Sequence, residues 1–184
     1  MRRLFAAIKI LPGPKLREAM ADFSRELSKE KIRWVNPENI HITLKFFGET
    51  PEKKLPVIKT ALEDAAKNIT PFDIEIKDCG TFGSPRFPRI IWLGLEQCEK
   101  LKSLYKTIND RLAKDGYMPE KRGFSPHLTI GRVKHIKNLY ALDAMISKYH
   151  DKTLLKQPVN SFQLFESVLK KEGPKYTVLE NFEL

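Results

Sequence analysis

With 184 residues, 41% of them hydrophobic and 30% charged, the chain is long enough for one well-cored folding unit or two small lobes sharing a core, and its composition excludes a disordered or low-complexity segment. Thirty-three Lys and Arg against 23 Asp and Glu leave a net charge of +10, which favours a polyanionic partner such as nucleic acid. No apolar run approaches the roughly 20 residues that cross a bilayer, so a helical membrane protein is excluded.

Taken in chain order, residues 4–10 read as a first strand. Arg2 and Arg3 precede an apolar stretch, as in a secretory signal, but Lys9 interrupts it and no small-residue cleavage site follows; a cytoplasmic protein is expected. Residues 15–30 place Leu16, Met20, Phe23 and Leu27 on one helical stripe. A strand over 40–47 follows, then a helix over 51–68 with Leu55, Ile58 and Leu62 inward, and strands over 72–77 and 90–95. The second half repeats the mixture: a helix over 98–115, a strand over 128–133, a helix over 139–150, and strands over 162–169 and 176–182. The last two flank Lys170-Lys171-Glu172-Gly173-Pro174-Lys175, which has the composition of a hairpin turn with a basic tip. The reading is α+β with mainly antiparallel sheets. Cys79 and Cys98 have neither a disulfide framework nor a metal-ligand spacing and are expected to stay reduced.

Two of the four histidines sit in matching settings, His41-Ile42-Thr43-Leu44 and His127-Leu128-Thr129-Ile130. Shifting the chain by the 86 residues between them also lays Phe5 on Ile91, Ile42 on Leu128 and Leu44 on Ile130. The helices do not match without gaps, so this is a weak sequence repeat of a kind that duplication of a half-sized unit leaves behind. It predicts two lobes related by a pseudo-twofold axis, packed around one cleft, with helices outside. With nine threonines in the chain, two His-x-Thr coincidences arise by accident in roughly one chain in seventy of this composition. For either motif alone, a buried histidine satisfied by its neighbours is the simpler account; for the pair, function is.

In a strand, residues i and i+2 share a face. His41 and Thr43 therefore point one way while Ile42 and Leu44 anchor the strand, and His127 and Thr129 do the same. Two imidazoles across a small gap suit a reaction that removes a proton from one oxygen and delivers one to another, because histidine's ordinary pKa of about 6.5 allows both protonation states near neutrality. The threonine hydroxyls are placed to donate to the oxygens of a phosphate between them. Phosphodiester acid-base chemistry without metal or cofactor fits this inventory. The chain has no HExxH, no cysteine pair at zinc spacing and no P-loop, and a bare KxxG at Lys77 and Lys170 is too loose a pattern to carry nucleotidyl transfer.

The motifs have flanks: Arg3-Leu4-Phe5-Ala6-Ala7-Ile8 at the start, Trp34-Val35-Asn36-Pro37-Glu38-Asn39 before the first motif and Lys45-Phe46-Phe47-Gly48-Glu49 after it. Phe124-Ser125-Pro126 and Gly131-Arg132 bracket the second, and Gly173-Pro174-Lys175-Tyr176 follows. With these the chain resembles, over nearly its whole length, the 2H phosphoesterase superfamily, and within it the archaeal and bacterial RNA 2',3'-cyclic phosphodiesterases, also called 2'-5' RNA ligases. The resemblance implies a bilobal fold with the HxTx strands lining a basic groove, and hydrolysis of 2',3'-cyclic phosphate RNA ends to 2'-phosphomonoesters. Carried over by motif, His41 is the proton donor to the departing 3' oxygen and His127 the acceptor that activates water. Thr43 and Thr129 hold the phosphate, and Arg132 contacts it or the adjacent nucleotide. The expected partner is RNA with cyclic phosphate ends, tRNA fragments among the candidates, bound by a monomer.

Arg132 poses a geometric problem, since strict alternation from His127 aims it away from the cleft; a bulge or strand end at Gly131 would re-aim it. Arg86 and Arg89 lie in a Pro-punctuated loop suited to tracking an RNA backbone, and Lys121, Arg122, Lys171 and Lys175 are further cations for the cleft mouth. Tyr176, Phe47, Phe46 and Trp34 are candidates to stack a base, with core packing as the competing reading of each aromatic. ATP-independent 2'-5' ligation would use the same residues, and an RNA-binding module without chemistry would keep the fold without needing the intact His and Thr pairs.

Overall fold

The apolar stripes and alternating runs find their partners in two antiparallel sheets, described here from a computed structural model; the structure describes residues 1–118, 123–170 and 173–184. The strands are β1 (Arg2–Lys9), β2 (Lys31–Trp34), β3 (His41–Thr50), β4 (Phe72–Ser84), β5 (Phe87–Leu95), β6 (His127–His135), β7 (Thr153–Val159), β8 (Ser161–Lys170) and β9 (Gly173–Glu183). The helices are α1 (Pro14–Glu26), α2 (Leu55–Ala66), α3 (Glu99–Ala113) and α4 (Leu139–Tyr149). One sheet has the order β3-β1-β8-β9 and the other β2-β6-β5-β4-β7. Among the described residues no helix is long and apolar enough to cross a membrane.

The expected bilobal α+β architecture is present, but the lobes are not the two halves of the chain. Strands β2 and β4, from the first half, belong to the β6-containing sheet, and β8 and β9 return to the β1-containing one. The helices exchange as well. Helix α3 packs on β3 and α2 on β9, whereas α1 packs on β7 and α4 on β4. Each sheet buries its apolar face beneath helices from both halves, and one continuous cluster of buried residues runs from Leu4 to Phe182. Asp22 of α1 adds a polar tie: its buried carboxylate accepts from the Tyr149 hydroxyl of α4 at 2.7 Å and also pairs with Lys148 and Arg25. These partners, the Lys148 ammonium foremost, hold its pKa far below the usual carboxylate range.

Two strands escape the sequence patterns. β2 is four residues long with only its alternate side chains half-buried, and β7 carries Lys156, Gln157 and Pro158. Both are edge strands, where polar residues and proline are tolerated and the apolar signal is weak. Helix α1 ends at Glu26, short of residue 30, because the chain must turn to enter β2 at Lys31. The two-residue turn between β4 and β5 holds Pro85 and Arg86, so the proline-punctuated segment is a hairpin tip. The basic hairpin between β8 and β9 forms, with Lys170 paired to Gly173; Gly173 has φ +134°, a conformation that favours glycine.

Candidate active site

Both HxT segments open a strand. Asn36 starts a single 3-10 turn by accepting the Glu38 N–H at 3.0 Å, and β3 begins immediately after it at His41. β6 begins at His127 after the Pro126 breaker. In each case the ring Nδ1 sits on the carbonyl oxygen two residues upstream: Asn39 at 2.7 Å from His41 and Ser125 at 2.8 Å from His127. A carbonyl only accepts, so Nδ1 carries the proton and Nε2 of each neutral ring is the free basic nitrogen. The rings are also backed by aromatics. His41 lies 4.9 Å from Phe5 and 5.4 Å, edge-on, from Tyr176, and His127 lies 4.8 Å, edge-on, from Phe82.

Each strand then slips its register by one residue at equivalent places; β3 slips again at Phe47 against β1, and β6 at Lys134 against β2. Thr129 faces Trp92 and Gly131 faces Ile91, which leaves Ile130 as an extra residue; Thr43 faces Ala7 and Lys45 faces Ala6, which leaves Leu44 extra. The bulge brings Arg132, opposite Ile90, onto the face that holds Thr129, and Phe46, opposite Phe5, onto the face that holds Thr43. Residues 46 and 132 are 86 apart, so the repeat that matches the histidines also matches these two positions. Lys45 is turned inward by the same slip, where its ammonium donates to Asn109 Oδ1 at 2.9 Å and to the Met118 carbonyl at 2.8 Å. Gly131 leaves room for Trp34, whose Cζ3 would be 2.9 Å from a Cβ there.

A cleft of about 870 Å³ lies between the sheets, where β3 and β6 touch, and both histidines and both threonines line it. Arg3, Arg33, Arg132, Lys170 and Lys175 also line it, and no Asp or Glu is among the described residues of its wall. The cleft is therefore built for an anion. Asn39 ties its rim together by donating from Nδ2 to the Pro174 carbonyl at 3.2 Å. Burial pushes the His41 pKa below the ordinary histidine value; Arg132 and His127 add to this, and the Asn39 hydrogen bond opposes it. Burial raises the Tyr176 phenol, with Arg132 and Arg3 pulling the other way. Among the described residues no group of three or more His, Cys, Asp or Glu is placed to hold a metal ion.

Of the residues singled out from sequence, His41, Thr43, His127, Thr129, Arg132 and Tyr176 are brought to this cleft, with Trp34, Phe46 and Lys175. Phe47 is not; it packs edge-on against Tyr117 at 5.5 Å, outside the cleft wall that Phe46 lines. Arg86 and Arg89 are exposed on the β4–β5 hairpin, away from the cleft wall. Lys121, Arg122 and Lys171 lie outside the described residues. Sequence reasoning passed over Arg3, whose guanidinium stands 5.2 Å above the Phe46 ring, and Arg33, which faces Arg132 from β2. Extending the 86-residue shift five positions beyond each histidine pairs Phe46 with Arg132 and would have favoured Phe46 over Phe47; nothing local marks Arg33.

The LigT-like phosphoesterase family model matches the chain twice, over residues 9–92 and 93–176. The chain belongs to the LigT-like phosphoesterase family. Among this family's curated members, the RNA 2',3'-cyclic phosphodiesterase of Methanothermobacter thermautotrophicus is 34% identical over 182 residues, covering 99% of this chain and 98% of its own. That of Methanocaldococcus jannaschii is 36% identical over 180 residues, covering 98% and 99%. Among solved structures, TT0787 of Thermus thermophilus superimposes with a TM-score of 0.79 at 27% identity, covering 99% of this chain and 97% of that one. E. coli LigT complexed with 3'-AMP shares the fold, with a TM-score of 0.76 at 24% identity and coverage of 100% and 98%. The double match of this phosphoesterase family model agrees with the paired bulges and paired Nδ1–carbonyl contacts.

Proposed function

We propose that the protein is an RNA 2',3'-cyclic phosphodiesterase that opens the cyclic phosphate to a 2'-phosphomonoester by two-histidine acid-base catalysis. The observation that carries this reading is the pair of imidazoles, each with Nδ1 tied to a backbone carbonyl, in one cationic cleft without a carboxylate on its described wall. His127 Nε2 takes a proton from water as its oxygen bonds to phosphorus; the P–O3' bond breaks, and His41 gives its proton to the departing oxygen. Thr43, Thr129 and Arg132 hold the non-bridging oxygens as negative charge builds on them. Phe46 and Tyr176 border the space for the terminal base and ribose.

The free cleft works against a protonated His41, because burial, Arg132 and His127 all favour its neutral form. A bound phosphate supplies the missing negative charge, so substrate binding and protonation of the acid reinforce each other. Both histidines come from one chain, and the monomer is the working unit; we place it in the cytoplasm, with RNA fragments, tRNA-derived ones among them, as substrates. The test is incubation of a dinucleotide ending in a 2',3'-cyclic phosphate with the protein in excess EDTA. A 2'-phosphate product is expected. Loss of turnover on chelation, or release of a 3'-phosphate, overturns the proposal.

A further inference from the structure

A second hollow, of about 310 Å³, adjoins the cleft along the face of the sheet that carries His127. His127 lines both spaces, whereas His41 lines only the larger one. Its interior is aromatic, with Phe82, Trp92 and Phe124, and its rim is polar and of mixed charge, with Lys77, Asp78, Glu96, Gln97, Lys102 and Ser125, which suits an uncharged nucleoside end rather than a phosphate. Two glycines make it possible. Gly94 stands opposite His127 and Gly80 opposite Trp92. A Cβ at Gly80 would be 2.5 Å from Trp92 Cζ2, and one at Gly94 3.2 Å from Cζ3, so the indole rests against bare backbone at both. Phe82 continues the aromatic wall from Trp92, at 5.4 Å, to His127, at 4.8 Å. The volume lies at the lower end of the roughly 300–1,000 Å³ typical of ligand sites, room for one nucleoside, and any base stacks on such a wall because every base has a π-face.

In displacement at phosphorus, nucleophile and leaving group stand on opposite sides. On the reading above, His41 serves the leaving oxygen and His127 the nucleophile, so a hollow that reaches His127 but not His41 lies on the nucleophile's side. Water needs no aromatic chamber there. We propose that this hollow binds the 5'-terminal nucleoside of a second RNA strand, whose 5'-hydroxyl takes the place of water. The inference rests on the function proposed above and assigns the acceptor site for 2'-5' joining. The balance closes without ATP: His127 Nε2 takes the 5'-hydroxyl proton, the 5' oxygen bonds to phosphorus, the P–O3' bond breaks, and His41 protonates the 3' oxygen. The product is a 2'-5' phosphodiester, and proton exchange with water resets both rings.

Gln97 is exposed on the rim and outside the larger cleft, so Gln97→Trp fills the hollow without disturbing the core. Two reactions are followed with the same cyclic-phosphate dinucleotide: hydrolysis alone, and joining to a 5'-hydroxyl dinucleotide, with the product checked for resistance to a 3'-5'-specific ribonuclease. The variant is expected to raise the KM for the acceptor about ten-fold or more, the equivalent of one lost stacking contact, and to leave hydrolysis within about two-fold. Equal loss of both reactions would make the hollow part of the hydrolytic site and overturn the inference. So would unchanged joining in the variant, or hydrolysis by the wild type without any joining at millimolar acceptor. A wild type that neither hydrolyses nor joins would instead overturn the function proposed in the preceding subsection.

Discussion

A single hydrogen bond sets the tautomer of each imidazole in the cleft. With Nδ1 donating to Asn39 or Ser125, rotation and tautomer are chosen before substrate arrives, and Nε2 needs no reorganisation to act. Replacing His41 or His127 by Ala is expected to lower kcat by a factor on the order of 100 to 10,000, read from single-turnover hydrolysis; a rate within a few-fold of wild type in either variant counts against the mechanism. The pH dependence carries a sign. As the proposed acid His41 must be protonated to act, and its pKa in the free protein is lowered. The limb of kcat/KM that reports His41 in the free enzyme is therefore expected below the ordinary histidine value of about 6.5. Arg132→Gln removes one of the charges that depress it, so this limb should move to higher pH even as activity falls. A limb that stays in place, or moves down, contradicts the assignment of His41 as the acid.

Among the strands, the one-residue bulges decide which side chains line the cleft. A regular β3 would present Phe47 to the cleft and turn Phe46 into the core; the slip at Leu44 reverses them. Phe46→Ala is therefore expected to raise the KM for a cyclic-phosphate dinucleotide by roughly five- to a hundred-fold, the range of one lost stacking contact. The residue is 47% exposed, so stability should change little. Phe47→Ala should do the opposite, losing about 1–3 kcal/mol of stability through its contact with Tyr117 while leaving KM unchanged. Parallel KM measurements and urea titrations of the two variants separate these outcomes, and a larger KM effect from Phe47 would show that the bulge is misplaced.

For the fold as one body, the exchange of strands and helices between lobes has a thermodynamic consequence. Neither sheet can keep its helices if the other half of the chain comes apart, because α3 covers β3 and α1 covers β7. Urea unfolding is expected as one transition, with far-UV circular dichroism coinciding with fluorescence from Trp34 and Trp92, both of which lie in the β6-containing sheet. Two separated transitions would mean that the lobes are energetically independent. The same topology places cations of distant origin on one cleft: Arg3 from the start of the chain, Arg132 from β6 and Lys175 from the last hairpin.

The four-residue motifs, the helices, most strands and the approximate twofold relation between the halves were legible in the amino-acid order alone. They rest on short-range periodicity, which side-chain alternation and helical stripes express directly. A bulge or strand end at Gly131 was marked too, because alternation from His127 conflicted with the cleft role that the resemblance gives Arg132; the structure has the bulge, with Ile130 as the extra residue. The first bulge, without a glycine to announce it, was legible only through the repeat. Edge strands β2 and β7, and with β2 the placement of Arg33, left no local signal because an edge buries little apolar surface. It took the folded chain to establish that Phe46 rather than Phe47 meets the cleft, that Arg86 stands apart from it, and that His127 opens onto a second hollow. Register, bulges and cavities are set by the strand or helix that packs against a residue, and that partner lies tens of residues away along the chain.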